Sequence, residues 1–238
     1  ALSSARSYLG AVAYNNRMYV LGGTTSGSTG GITTVEKADI SPTGKLLNWG
    51  SITSLPAARF NHGVQVYNDR LYVIGGANGT TTQNSVYFNK INNDGTLNSW
   101  QTGTSISNGA TGGTRASLGG TMTTIWGGFI YVAGGCTTMN ASGYCTSIAS
   151  DIQLASINAD GTITDWTTVL GVTSTRMGYG LMSWRNRLYA LGGCTAQNTT
   201  TGACTTTVTT TQYGAINQDG DVSTVSTSVA NGTTPCIT

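Results

Sequence analysis

The feature that most constrains this chain is a unit that returns four times. Arg-x-x-x-Gly occurs as Arg6/Gly10, Arg59/Gly63, Arg115/Gly119 and Arg176/Gly180. After each comes an aromatic residue, a short turn, an apolar run and a glycine pair. The four segments read Tyr14-Asn-Asn-Arg-Met-Tyr-Val-Leu-Gly-Gly23, Tyr67-Asn-Asp-Arg-Leu-Tyr-Val-Ile-Gly-Gly76, Trp126-Gly-Gly-Phe-Ile-Tyr-Val-Ala-Gly-Gly135 and Trp184-Arg-Asn-Arg-Leu-Tyr-Ala-Leu-Gly-Gly193. The pairs Gly22-Gly23, Gly75-Gly76, Gly134-Gly135 and Gly192-Gly193 recur at intervals of 53, 59 and 58 residues. A second signature closes each unit: Ile40 to Trp49, Ile91 to Trp100 and Ile157 to Trp166, then Ile216 to Val225. Such self-similarity marks a repeat architecture, in which each unit buries its faces against its neighbours.

Each unit reads as four strands, and the chain as all-β. In the second unit they run Gly63 to Tyr67, Arg70 to Ile74, Ser85 to Ile91 and Leu97 to Thr102, the last carrying Trp100. Asn-Asp and Asp-Gly between β-rich runs are hairpin signals, because these residues tolerate positive φ. The second strand is apolar at consecutive positions, as expected when both faces of a sheet are covered. The 34 glycines suit many short strands joined by tight turns. The units are placed at 1–55, 56–109, 110–172 and 173–234.

An Arg before the first strand, a diglycine ending the second and a Trp in the fourth resemble the Kelch family, in its bacterial surface variant. The resemblance implies a β-propeller of four-stranded antiparallel blades with the first strand innermost. The glycine pairs would let backbones approach where a Cβ would clash, and Tyr and Trp would fill the wedge between blades. Arg6, Arg59, Arg115 and Arg176 are expected to hydrogen-bond carbonyls between blades. Trp49, Trp100 and Trp166 recur, whereas Val225 replaces Trp in the fourth unit, which should pack less well on its outer side. WD40 propellers need Gly-His and Trp-Asp pairs, and this chain has one histidine. Four blades belonging to a larger propeller is the expectation; a complete four-bladed ring is the alternative.

Cys136 and Cys194 each follow a glycine pair directly, and Cys145 and Cys204 lie nine and ten residues further on. The same position in two successive blades thus carries the same insertion, so local pairs 136–145 and 194–204 are expected. Zinc is not, since these loops lack histidine and Cys-x-x-Cys. Disulfides place the protein outside the reducing cytosol. Cys236 is left over, with a partner expected elsewhere.

No enzyme site, metal or cofactor is expected. His62 stands alone, so a copper-radical oxidase, which needs two histidines, does not fit. No Gly-x-Ser-x-Gly elbow occurs, and several Asp residues sit at turns, where Asp serves geometry. With 8% charged residues and a net charge of +2, an electrostatic footprint for nucleic acid is missing, and no apolar stretch is long enough to span a bilayer. What remains is the rim: polar loops at Thr24–Ile32, Ala77–Gln83, Cys136–Ser147 and Cys194–Thr205, with Asn78, Thr80, Asn140, Tyr144, Gln197 and Asn198 as candidate contacts. Asn78, Asn140, Asn198 and Asn231 head Asn-x-Ser/Thr triplets, read as plain polar residues unless the host glycosylates. The leading expectation is an extracellular, non-catalytic binding or adhesion module for a glycan or protein. A structural subunit of an extracellular filament or layer is the alternative. A glycan-active enzyme with its catalytic residues in other blades ranks third.

Overall fold

A computed structural model describes residues 1–25, 30–106, 114–115, 122–169, 175–223 and 226–228. Gly119, Val225, Asn231, Cys236 and part of the Thr24–Ile32 loop lie outside the described residues. Four antiparallel four-stranded sheets follow one another, with no helix among the described residues. The first is built from Gly10–Tyr14, Arg17–Leu21, Val35–Ile40 and Leu46–Ile52. The second runs Gly63–Tyr67, Arg70–Ile74, Val86–Lys90 and Gln101–Gly103. The third runs Thr123–Trp126, Phe129–Ala133, Ile152–Ser156 and Thr167–Val169, and the fourth Gly180–Trp184, Arg187–Leu191, Thr211–Ala215 and Ser226–Ser228. In each sheet the strands are hydrogen-bonded in chain order, and each first strand packs against the first strand of the next sheet. That is a propeller arrangement with the first strands innermost.

The two-residue turns joining first and second strands require left-handed backbone, and the chain supplies it with Asn15-Asn16, Asn68-Asp69, Gly127-Gly128 and Arg185-Asn186, all at positive φ. At the Asp-Gly turns, the Oδ1 of Asp94 accepts from the backbone N–H and the hydroxyl of Thr96, at 2.9 and 2.7 Å. Asp160 does the same with Thr162, and these bonds hold both carboxyls below the usual carboxylate range. These carboxylates are turn staples.

Burial along the second strands reports what covers each sheet. Leu71 to Ile74 and Ile130 to Ala133 are consecutively buried, as both faces are covered. In the fourth sheet Leu188 and Ala190 are buried, while Arg187 and Leu191 are exposed and Tyr189 is half-buried. There the pattern alternates with period two, the signature of a sheet with one open face.

Two expectations need correction. The arginine side chains stay within their own repeats: Arg59 Nη1 donates to the carbonyls of Gly75 (2.9 Å) and Ser85 (3.3 Å), and Arg6 and Arg176 reach the carbonyls of Gly22 and Gly192. Arg115 instead makes a buried two-oxygen ion pair with Asp151, at 2.8 Å to each oxygen. What crosses between blades is the arginine backbone, because a carbonyl needs no long side chain to span the narrow gap that paired glycines leave. The N–H of Gly23 donates to the Arg59 carbonyl at 2.9 Å, Gly76 to Arg115 at 2.6 Å and Gly135 to Arg176 at 3.0 Å. The second correction concerns tryptophan. Trp49 lies inside a fourth strand, but Trp100 and Trp166 precede theirs and reach back, donating their indole N–H to the carbonyls of Thr53 (3.1 Å) and Thr104 (2.9 Å) in the previous repeat. Trp166 is fully buried, while Trp49 and Trp100 are half-buried.

The glycine pairs are obligatory on steric grounds. A Cβ on Gly22 would lie 2.5 Å from the Arg59 carbonyl oxygen, and one on Gly134 2.5 Å from that of Arg176, both at positive φ. Gly134→Ala is expected to lower the thermal midpoint by more than about 5 °C in a melting curve, through strain and a displaced neighbouring strand. His62 is a packing residue between the first two blades. A Cβ on Gly10 would lie 2.8 Å from its Nε2, and both ring nitrogens are buried without a hydrogen-bond partner. Burial, with the nearby Arg59 charge, lowers its pKa to about 3. The unfolded chain therefore binds a proton below about pH 6.5 that the folded chain refuses. The stability that neutral His62 contributes is fully present above that pH and is lost towards pH 3, with a slope approaching about 1.4 kcal/mol per pH unit. Denaturation across pH 4–7 should show this slope. His62→Leu, which installs the residue type that Leu9 supplies at the same repeat position, should flatten it.

Candidate functional site

The connections between second and third strands do not remain loops. Three fold into small hairpins: Ala77–Asn78 with Thr81–Thr82, Cys136–Met139 with Cys145–Ile148, and Cys194–Gln197 with Cys204–Thr207. Disulfides Cys136–Cys145 and Cys194–Cys204 close the latter two, with Cα separations of 5.7 and 5.9 Å.

The hairpins are bonded into one wall. Thr82 Oγ1 donates to the carbonyl of Thr137 at 2.8 Å, joining the first hairpin to the second. Between the second and third, Asn140 Nδ2 donates to the Thr199 carbonyl at 2.7 Å, and the Cys145 N–H to Gln197 Oε1 at 2.6 Å. The other end of the Gln197 amide donates to the Gly202 carbonyl at 2.6 Å. The Tyr144 ring lies over Gly202, where a Cβ would come within 2.5 Å of it.

Against this wall stands one position of the repeat, the second residue after the arginine. Tyr8, Asn61 and Gly178 occupy it, with φ of 53°, 52° and 59°. Left-handed backbone is ordinary for Gly and tolerable for Asn, but for a bulky aromatic it is strained. Tyr8 nevertheless holds it with its side chain 55% exposed and its ring 6.4 Å from that of Phe60. These three residues, Phe60, Met177 and the hairpin residues Tyr144, Gln197 and Thr201 line a cup of about 590 Å³. That volume is in the range of small-ligand sites, about 300–1,000 Å³. None of the residues lining it is Asp, Glu, His, Lys or Arg. Its chemistry is aromatic faces, amides, hydroxyls, thioethers and disulfide sulfur: a surface for contact and hydrogen bonding without a carboxylate, an imidazole or a cation.

Of the residues singled out from sequence, Tyr144 and Gln197 line the cup. Asn140 and Asn198 hold hairpin turns, each through Oδ1 accepting two backbone N–H bonds. Asn78 and Thr80 are exposed on the shorter hairpin, apart from the cup lining. Sequence reasoning misses Tyr8, Phe60, Asn61, Met139 and Met177. A signal for them exists, since all but Met139 sit in the Arg-x-x-x-Gly spacer, whose middle residue varies as Tyr8, Asn61, Ser117 and Gly178.

The Kelch motif matches residues 58–87, from beside Arg59 through the glycine pair to the third strand. No curated protein matches the sequence. Among 198 matching solved chains, the "Structure of YjhT", a Kelch-type propeller, superposes with a TM-score of 0.67 at 16% identity, covering 94% of this chain and 71% of that one. The repeats are Kelch-like. The closed disulfides are the form cysteines take in an oxidising environment. No helix is long and apolar enough to cross a membrane among the described residues.

The two disulfides lie in this Kelch-like chain's rim hairpins. Cys136→Ser with Cys145→Ser is expected to remove roughly 2–3 kcal/mol, the value for closing a loop of about ten residues. Urea denaturation of the double variant against the oxidised parent measures it.

Proposed function

We propose that the chain is an extracellular, non-catalytic binding module that holds a neutral glycan in the cup between its stapled hairpins and the left-handed residues of its blades. The observation that carries this reading is Tyr8, a large aromatic held at φ 53° and 55% exposed where the fourth repeat has glycine. Strain of this kind persists where the surroundings over-determine it and gathers at ligand-contact positions. Together with Tyr144 it offers ring faces to the apolar face of a sugar. Asn61 and Gln197 offer amides to hydroxyl groups, and the lining carries no charge that an acidic or basic ligand would need. Disulfides hold the wall in place before binding, which lowers the ordering cost. Their presence also supports an extracellular setting.

The non-catalytic part rests on where the reactive side chains lie. His62 is buried, Asp94 and Asp160 bind their own turns, and Asp151 is paired with Arg115. A second reading, a structural subunit of an extracellular layer or filament, is favoured by apolar residues exposed on the first and fourth blades, Leu46, Leu47, Met182 and Leu191.

A neutral-oligosaccharide array, followed by calorimetric titration of hits, tests the proposal. Tyr144→Ala and Tyr8→Gly should each weaken binding by about tenfold or more. Tyr8→Gly should leave the melting temperature unchanged or raised, since glycine relieves the left-handed strain. Absence of binding across the array would remove the glycan reading, and release of reducing sugar from a bound oligosaccharide would remove the non-catalytic one.

A further inference from the structure

The residue that opens each second strand faces a residue of the third strand, and the facing pair differs from blade to blade. In the first blade Arg17 faces Asp39, an ion pair at 3.6 Å that Lys37 joins at 3.8 Å. In the third and fourth blades the facing pairs are Phe129 with Ser156 and Arg187 with Ala215. The second blade alone sets two cations opposite each other, Arg70 and Lys90. Like charges directly across an antiparallel pair repel, and neither cation joins an ion pair among the described residues. Only 8% of the chain is charged, so the pairing is not a by-product of a crowded cationic surface.

The two side chains edge a hollow of about 190 Å³ where the second and third blades meet, with Asn98, Ser99, Gln101 and Asp160 around it. Described blades form it on both sides. The Arg70 stem is held over the Gly161 turn, where a Cβ would lie 2.0 Å from its Cδ, and Nη1 donates to the Asn68 carbonyl at 3.3 Å. Asn98 Oδ1 accepts from Asn92 at 3.0 Å, which leaves the Asn98 amide N–H groups to donate. The Ser99 hydroxyl and the Gln101 amide have no partner among the described residues. Asp160 is the one carboxylate of the lining. Its Oδ1 is taken by Thr162, and it lies outside ion-pair range of both cations.

We infer that this hollow binds one carboxylate or sulfate group of an acidic polysaccharide, held between the Arg70 guanidinium and the Lys90 ammonium. An oxyanion placed there turns a repelling pair into two charge-assisted contacts. At about 190 Å³ the hollow is smaller than whole small-ligand sites, about 300–1,000 Å³, and suits one charged group with the atoms that carry it. Two cations against one carboxylate leave a single positive charge, which a carboxylate or sulfate ester matches better than a phosphate monoester of nearly two charges. A polysaccharide is favoured over an acidic peptide because the remaining polar groups are two amides and a hydroxyl. The apolar lining residue, Phe88, is 3% exposed, so the hollow offers peptide side chains no apolar surface. The site shares no residue with the cup and does not rest on the reading of it.

The probes are polygalacturonate and dextran sulfate, titrated calorimetrically at fixed ionic strength into the 238-residue chain with its disulfides intact. Neutral dextran, sodium sulfate and polyglutamate are titrated alongside. Binding of at least one acidic polysaccharide is expected, with none of dextran at this site. Lys90→Asp rebuilds the ion pair that Arg17 makes with Asp39, and should weaken that binding by about tenfold or more. Without any probe the same variant should melt about 1–4 °C above the parent, because the repulsion is relieved; that melting curve also confirms that it folds. Lys45→Asp makes the same charge change on an exposed residue of the first blade and should leave binding within about twofold. A loss as large in Lys45→Asp as in Lys90→Asp would mean diffuse attraction and overturn the site. So would binding of neither polysaccharide, or binding indifferent to Lys90→Asp. Sodium sulfate bound as tightly as the polymers, or polyglutamate bound more tightly, overturns the polysaccharide assignment. Tyr8→Gly should leave this binding unchanged, which separates failure here from failure at the cup.

Discussion

The structure depends on one hydrogen bond repeated at each joint, from the N–H of a glycine to the carbonyl of the next repeat's arginine. Its 2.6–3.0 Å lengths bring two backbones together where any side chain on the first glycine of the pair would intrude. The arginine side chain then serves a separate purpose, buried in its own blade: Arg59 donates to the carbonyls of Gly75 and Ser85, and Arg115 pairs with the Asp151 carboxylate. One residue thus completes its own blade with its guanidinium and ties the previous blade with its backbone. This explains a cationic side chain in every repeat of a chain with so few charges.

Around that joint the blades pack through the second-strand tyrosines. Their rings are buried between sheets, and each hydroxyl has an acceptor in the adjacent blade. A buried hydroxyl without such a partner would weaken the interface it fills. Tyr189 keeps the residue type, but among the described residues its hydroxyl has no acceptor, and it is half-exposed.

The strand order, the hairpin turns and both disulfide pairs were legible in the sequence, because each rests on residues whose type is fixed by backbone geometry at a constant repeat position. Gly22-Gly23 and Asp94-Gly95 are examples. The direction of the arginine bonds was not, since an Arg in every repeat is equally compatible with spanning a joint or closing its own blade. Nor was the position of Trp100 and Trp166 just outside their strands. That depends on the preceding repeat offering a carbonyl, at Thr53 or Thr104, a three-dimensional fact with no local trace. The hairpin wall of the cup was half legible. The stapled loops could be located, but the pairing of Asn140 with Thr199 and of Gln197 with Cys145 depends on how adjacent blades are angled. The floor was hidden because Tyr8, Asn61 and Gly178 look unrelated until their shared backbone conformation is seen.

That shared conformation makes the residue after next from Arg6, Arg59 and Arg176 a socket in the literal sense. The backbone there is dictated by the turn into the inner strand, so the socket persists whatever side chain it carries, while the residue itself lines the cup. Exchanges at these few places can recompose the interior of the cup from wide and bare to narrow and aromatic, and leave the glycine-to-arginine bonds between blades in place. A repeat scaffold of this design can therefore diversify what it grips one blade at a time, with its wheel left as it was.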